Sequence, residues 1–241
     1  MAGRIDKIQL NMRDLSSSLK RQGRTRRAGT QAGQIQQRSF GEKPPKQLDI
    51  SRDPKLMQLF SERGLVGWLE EKIKRSSKHP GKIVPAEDIT AMAMPNIPGK
   101  QEGNLVYLGV DFALKNQTNP DKLAGVLSHE WGHLISDFLS GLDATDLDWG
   151  QIHSLRREEE SYADAYAGRL LYLIGHKPDG LIEHLREHTC GENAKYFNLD
   201  TRIEIILRAY QAQAAQQQLA AKIFARQGER HALGSRLIAE A

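Results

Sequence analysis

The sequence predicts an α+β fold, mainly helical with a small β-sheet, preceded by a disordered basic arm. Three observations carry this. Apolar residues recur at helical spacing through several long segments between residues 120 and 221. Short β-type runs crowd between residues 83 and 110, separated by proline and glycine. The first 47 residues are polar, basic and poor in core-forming side chains.

The arm itself has two parts. Ile5, Ile8, Met12, Leu15 and Leu19 are spaced 3, 4, 3 and 4 apart, a coiled-coil-like stripe only about two heptads long. It reads as a fraying helix or disordered segment, or else as a piece that docks on a partner helix, a membrane surface or the chain's own cleft. Residues 21–47 are rich in Arg, Gln, Gly, Thr and Ser, end near Pro44-Pro45, and read as a linker. Residues 1–40 carry nine Lys or Arg against Asp6 and Asp14, a net of +7; with a total of +4, the remainder is left at about −3. The expected layout is an arm and linker over 1–47, a folded domain over 48–227 and a short tail over 228–241.

Asp53-Pro54 opens a helix running to about Lys74, with Leu56, Leu59, Phe60, Trp68, Leu69 and Ile73 inward. Ser76–Gly81 reads as a turn, Ile83-Val84 and Ile89–Met94 as short strands, Asn96–Gly103 as a loop and Leu105–Val110 as the best strand. Asn119 and Pro120 start a helix that ends near Ser140-Gly141. Leu142–His153 reads as an acidic, aromatic loop, with Asp143, Asp146, Asp148 and Trp149. A helix then spans Leu155–Ile174 and stops at Gly175; another runs from Pro178 to about Glu187. Thr201-x-x-Glu204 is a capping box for a last, long helix whose 211–221 segment is Gln/Ala-rich.

The helix over 120–139 holds His129-Glu130-Trp131-Gly132-His133. Positions i and i+4 share a helical face, so both imidazoles can reach one ion, and Glu130 stands beside it as a candidate general base. Two neutral nitrogens suit Zn2+, which takes three protein ligands where a position stays open for water. The third ligand is sought on Leu155–Ile174. Glu160 is assigned as that ligand, and Asp164, one turn on, as the carboxylate that orients a ligand imidazole. Ala163, Ala165, Ala167 and Gly168 would let the two helices approach closely. Glu158 and Glu159 read as a solvated helix start. His176, His184 and His188 read as surface residues, and His153 as a weak alternative ligand.

His129-Glu130-x-Gly132-His133 followed by Glu160-x-x-Ala163-Asp164-x-x-Ala167-Gly168 resembles the zinc endopeptidases of the HtpX, Oma and CAAX-prenyl-protease type, a gluzincin group. Ala91–Pro95 with Leu105–Gly109, Asp121–Leu127, Gly175–Pro178 with Leu181-Ile182, and Thr201-Arg202-Ile203 extend the likeness over about residues 50–210. Asn198-Leu199-Asp200 stands where that group has His-Pro, and no membrane-spanning stretch is present in the sequence. The short gap from His133 to Glu160 also resembles the IrrE/ImmA peptidases, the second choice.

The resemblance implies a zincin-like (gluzincin) catalytic domain. The expected activity is zinc-dependent endopeptidase hydrolysis, with a Zn-activated water, Glu130 as general base, and one Zn2+ on His129, His133 and Glu160. Tyr196, Arg202 and His184 are candidate oxyanion donors. Leu105, Val106, Tyr107, Leu108 and Gly109 are proposed as an edge strand that holds an extended peptide. The alternatives are a catalytically inactive zincin-fold adaptor and an IrrE/ImmA-like regulatory peptidase acting on a repressor. Expected partners are a protein or peptide substrate and, through the arm, a further protein. Nucleic acid ranks last, because the arm lacks interleaved aromatics. The single Cys190, the lack of a hydrophobic signal core and the lack of any run of 18 apolar residues point to a soluble, cytoplasmic protein.

Overall fold

The computed structural model describes residues 44–96, 103–136, 147–188 and 196–239, with side chains described as far as residue 225. The proposed arm helix over 5–19 and most of the linker lie outside the described residues. So do residues 137–146, which contain the expected Ser140-Gly141 stop and the first part of the acidic loop.

Helix α1 (Pro54–Phe60) is capped by Asp53, whose carboxylate accepts from the amides of Lys55 and Leu56. The single helix expected to Lys74 is two: a break at 61–64 separates α1 from α2 (Leu65–Ser77). At the break the backbone comes close at Gly64, where a Cβ would lie 1.9 Å from the carbonyl oxygen of Gln58. Lys78 then closes α2 in the left-handed conformation. Strands β1 (Lys82–Ala86), β2 (Ala91–Met94) and β3 (Leu105–Gly109) follow.

The three strands form a sheet of order β1-β3-β2, with β1 parallel and β2 antiparallel to β3. This corrects one expectation. Leu105, Val106, Tyr107, Leu108 and Gly109 make the central strand, not an edge, so both ladders of β3 are already occupied. Its near-continuous burial fits that position. Beside β1, Gln47 forms a bridge to Ala86 and the amide of Leu48 donates to the carbonyl of Pro85 at 2.9 Å. The last linker residues are therefore attached to the sheet.

A short helix α3 (Val110–Lys115), not foreseen from the sequence, turns the chain toward α4 (Pro120–Ile135). Asn119 caps α4 as expected, accepting from the amide of Lys122, but the helix ends at Ile135, where Ser136 turns extended, short of the expected stop near Ser140-Gly141. Helix α5 (Trp149–Ile174) starts six residues earlier than expected, because Asp148 and Gln151 form a reciprocal capping box. Trp149 and His153 therefore stand on the helix and not in a loop. Helix α6 spans Asp179–His188 and α7 spans Leu199–Ala239. The start of α7 also moves: Asn198, not Thr201, accepts the capping bond, from the amide of Thr201. The helix continues without a break past residue 227.

One main core joins these elements. Val66, Leu69 and Ile73 of α2, Val106 and Leu108 of β3, and Leu123, Leu127 and Trp131 of α4 pack with Leu170 and Leu171 of α5, Leu181 of α6 and Ile206 of α7. Val84, Ala86, Met94 and Tyr107 pack together as a second, smaller cluster. Helices α4 and α5 meet closely at Gly132, where a Cβ would lie 2.9 Å from the Cα of Ala163. That contact sets the distance over which a carboxylate on α5 must reach the histidines of α4. No helix among the described residues is long and apolar enough to cross a membrane.

Candidate metal centre

Helix α4 presents His129 and His133 on the face turned toward α5, with their Nε2 atoms 3.2 Å apart. Glu160 reaches both rings. Its Oε2 lies 3.4 Å from His129 Nε2 and its Oε1 lies 3.7 Å from His133 Nε2. Two imidazole nitrogens and a carboxylate thus converge on one point, and the three residues form a group that could hold a metal ion.

The far side of each ring also meets a carboxylate. His129 Nδ1 lies 3.0 Å from Asp164 Oδ1, and His133 Nδ1 lies 3.5 Å from Glu159 Oε1. In a metal site, a carboxylate behind each imidazole would favour a proton on Nδ1 and leave Nε2 for the shared point. Asp164 was expected in this role. Glu159 was not: read as solvated, it is buried at 7% exposure. Its signal was available, since Glu159, Ala163 and Ala167 share the helical stripe turned toward the core.

Arg202, from the first turn of α7, locks this arrangement. Its Nε donates to Asp164 Oδ2 at 2.7 Å and its Nη2 to Asp164 Oδ1 at 2.9 Å, a two-pronged pair with a fully buried carboxylate. Nη2 also lies 3.5 Å from Glu160 Oε2. Arg202, a candidate oxyanion donor, thus turns its Nε and Nη2 to these two carboxylates.

The charges are strongly coupled. Burial alone would lower the His129 pKa, but its contacts with Asp164 and Glu160 outweigh burial and push it up to about 10. His133 is raised in the same way, with the charge of Glu160 overcoming its burial. Burial would raise Glu160, yet His133, His129 and Arg202 hold it below its ordinary range. Asp164 is likewise held low, with Arg202 foremost in overcoming burial. The donor set and the negative charge around it fit a metal cation.

Glu130 stands one residue after His129, and its Oε2 accepts from the amide of Ala93 on β2 at 2.8 Å. The side chain is thereby tied to the sheet edge beside α4. Tyr196 lies against Arg202, whose guanidinium sits 5.1 Å from the ring centre. The charge of Glu160, then burial, raises the Tyr196 pKa, so the phenol keeps its proton at neutral pH. His184 is on α6, packed edge-on against Phe112 with ring centres 5.4 Å apart. His176, expected at the surface, is buried, and its Nδ1 lies 2.8 Å from Asp121 Oδ1. It ties the turn after α5 to the start of α4. His153 stands near Trp149 at the start of α5, outside the group that converges on Glu160.

No protein-family model matches the chain, and a search of curated proteins finds no significant match.

Proposed function

We propose that the protein is a zinc-dependent peptide hydrolase with a zincin-like catalytic domain of the gluzincin type. The observation that carries this reading is the convergence of His129, His133 and Glu160, braced by Asp164 and Glu159, with Glu130 beside them. This donor set suits one Zn2+. When bound, the ion supplies a Lewis acid that polarises the scissile carbonyl and lowers the pKa of water. Glu130 takes a proton from the attacking water and delivers it to the leaving amine. Tyr196, protonated at neutral pH, donates to the oxyanion that develops on the carbonyl oxygen. Arg202 and Asp164 keep His129 in the required tautomer and orientation.

The extended substrate is assigned to the edge of β2 and not to β3. Strand β2 is at the sheet margin, and the Ala93 amide reaches the general base. A peptide laid along Ala91–Met94 would pair by main-chain hydrogen bonds and bring its scissile bond over the metal group.

The test is cleavage of a peptide library by the full chain loaded with one equivalent of Zn2+, beside Glu130→Gln. The variant should keep its metal and lose about 10²–10⁴-fold in turnover. Turnover that survives in Glu130→Gln, or that is indifferent to removal of the metal, would overturn the assignment. Full metal binding with no cleavage of any peptide would indicate a binding role for the same fold.

A further inference from the structure

Helix α6 carries a second group of ligand-type side chains that the proposed reaction leaves unused. His184, Glu187 and His188 occupy positions i, i+3 and i+4, and each offers a ligand atom within 4.8 Å of the other two. The two rings lie 4.2 Å apart between centres. His188 Nδ1 is 2.8 Å from the carbonyl oxygen of His184, so that nitrogen carries the proton and donates it. The lone pair of His188 is therefore on Nε2 and points away from the helix backbone. Glu187 and His188 are exposed, and His184 is half-buried, which leaves the group open to solvent ions.

We propose that His184, Glu187 and His188 form a second metal site, one for a divalent late first-row ion such as Zn2+, Ni2+ or Cu2+. Two imidazoles at i and i+4 select such ions over Mg2+ and Ca2+, which favour oxygen donors. The neighbouring cation sets the cost. Lys122 Nζ lies 2.6 Å from Glu187 Oε2 and 3.2 Å from Glu183 Oε1. An incoming ion takes over Glu187, and Lys122 keeps Glu183, so the buried ammonium is not stranded. The site differs from the α4/α5 centre in having all its ligands on one helix and, among the described residues, no carboxylate behind either ring. It should bind more weakly, and it does not depend on the hydrolase reading.

The experiment is equilibrium dialysis of the untagged full chain across free Zn2+ concentrations, with bound metal measured by mass spectrometry. Two steps are expected for the unaltered chain. His188→Ala and Glu187→Ala should each weaken only the second step, by at least about tenfold. His133→Ala should abolish the tight step and leave the weak one. Imidazole NMR resonances of His184 and His188 should move during the weak step. A single step in the unaltered chain, or a weak step unchanged in the double variant of Glu187 and His188, would overturn the second site. Loss of the tight step alone would bear on the proposed function instead.

Discussion

The molecule contains two histidine pairs at i and i+4, and they differ in what surrounds them. His129 and His133 point from α4 into α5, receive Glu160 from that second helix and have a carboxylate behind each ring. His184 and His188 share one helix with Glu187, and among the described residues His188 is oriented by its own helix's carbonyl. The same local spacing thus produces a braced centre in one place and an unbraced one in another. Spacing brings nitrogens together. Bracing by other elements determines tautomer, orientation and the charge that an ion must balance.

The sharpest way to break this contrast is to remove the brace. Arg202→Ala leaves the fully buried Asp164 carboxylate without its guanidinium, which should cost about 3–5 kcal/mol of stability. Arg186→Ala, on the exposed side of α6, should change stability by no more than about 0.5 kcal/mol. Denaturant midpoints of the two variants measure the difference; equal midpoints would show that Arg202 holds nothing in place.

A smaller effect sharpens the comparison at the metal. Asp164→Asn and Glu159→Gln should each weaken metal binding at the α4/α5 centre by about 10–100-fold, read by competition with a chelator. The Asp164 change should be the larger, because it also disturbs Arg202. Neither should move the affinity of the α6 site. Unchanged affinity in both would mean that the carboxylates sit near the rings without orienting them.

The smallest effect concerns pH. His184 is lowered to about 4 from its ordinary 6.5, foremost by burial, then by the charges of His188 and Lys122. Between pH 6.5 and about 4 the unfolded chain binds the extra proton and the folded chain does not. This group's contribution to stability is therefore complete above pH 6.5, declines as pH falls through that window and levels off below about 4. Its partial exposure makes the change modest. Comparing the pH dependence of the thermal midpoint with that of His184→Asn isolates it; identical slopes would refute the assignment.

Much of this was readable from local signals. Asn119-Pro120 marks the start of α4, Gly175 the end of α5, and His129 and His133 share a face by helical period alone. Glu160 and Asp164 could be chosen because carboxylates recur within a run of small residues. Other features escaped. The break between α1 and α2 brings the backbone close at Gly64, and local periodicity carries no trace of it. The cap at Asp148 hid inside an acidic stretch that reads as loop. Glu159 and Glu160 are adjacent and chemically alike, and only the approach of α4 decides that one lies behind a ring and the other before it.

By itself, the sequence determined most of the helices, which of their faces are apolar, and that two imidazoles and a carboxylate share one helix. These are consequences of a 3.6-residue period and of caps a few residues long. Tertiary structure decided the order of the strands, and so that β2 and not β3 lies at the margin beside Glu130. It also brought Arg202 onto Asp164 and Glu160. The reason is physical: strand order and long-range ion pairs arise from contacts between residues tens of positions apart, whose geometry no local pattern encodes.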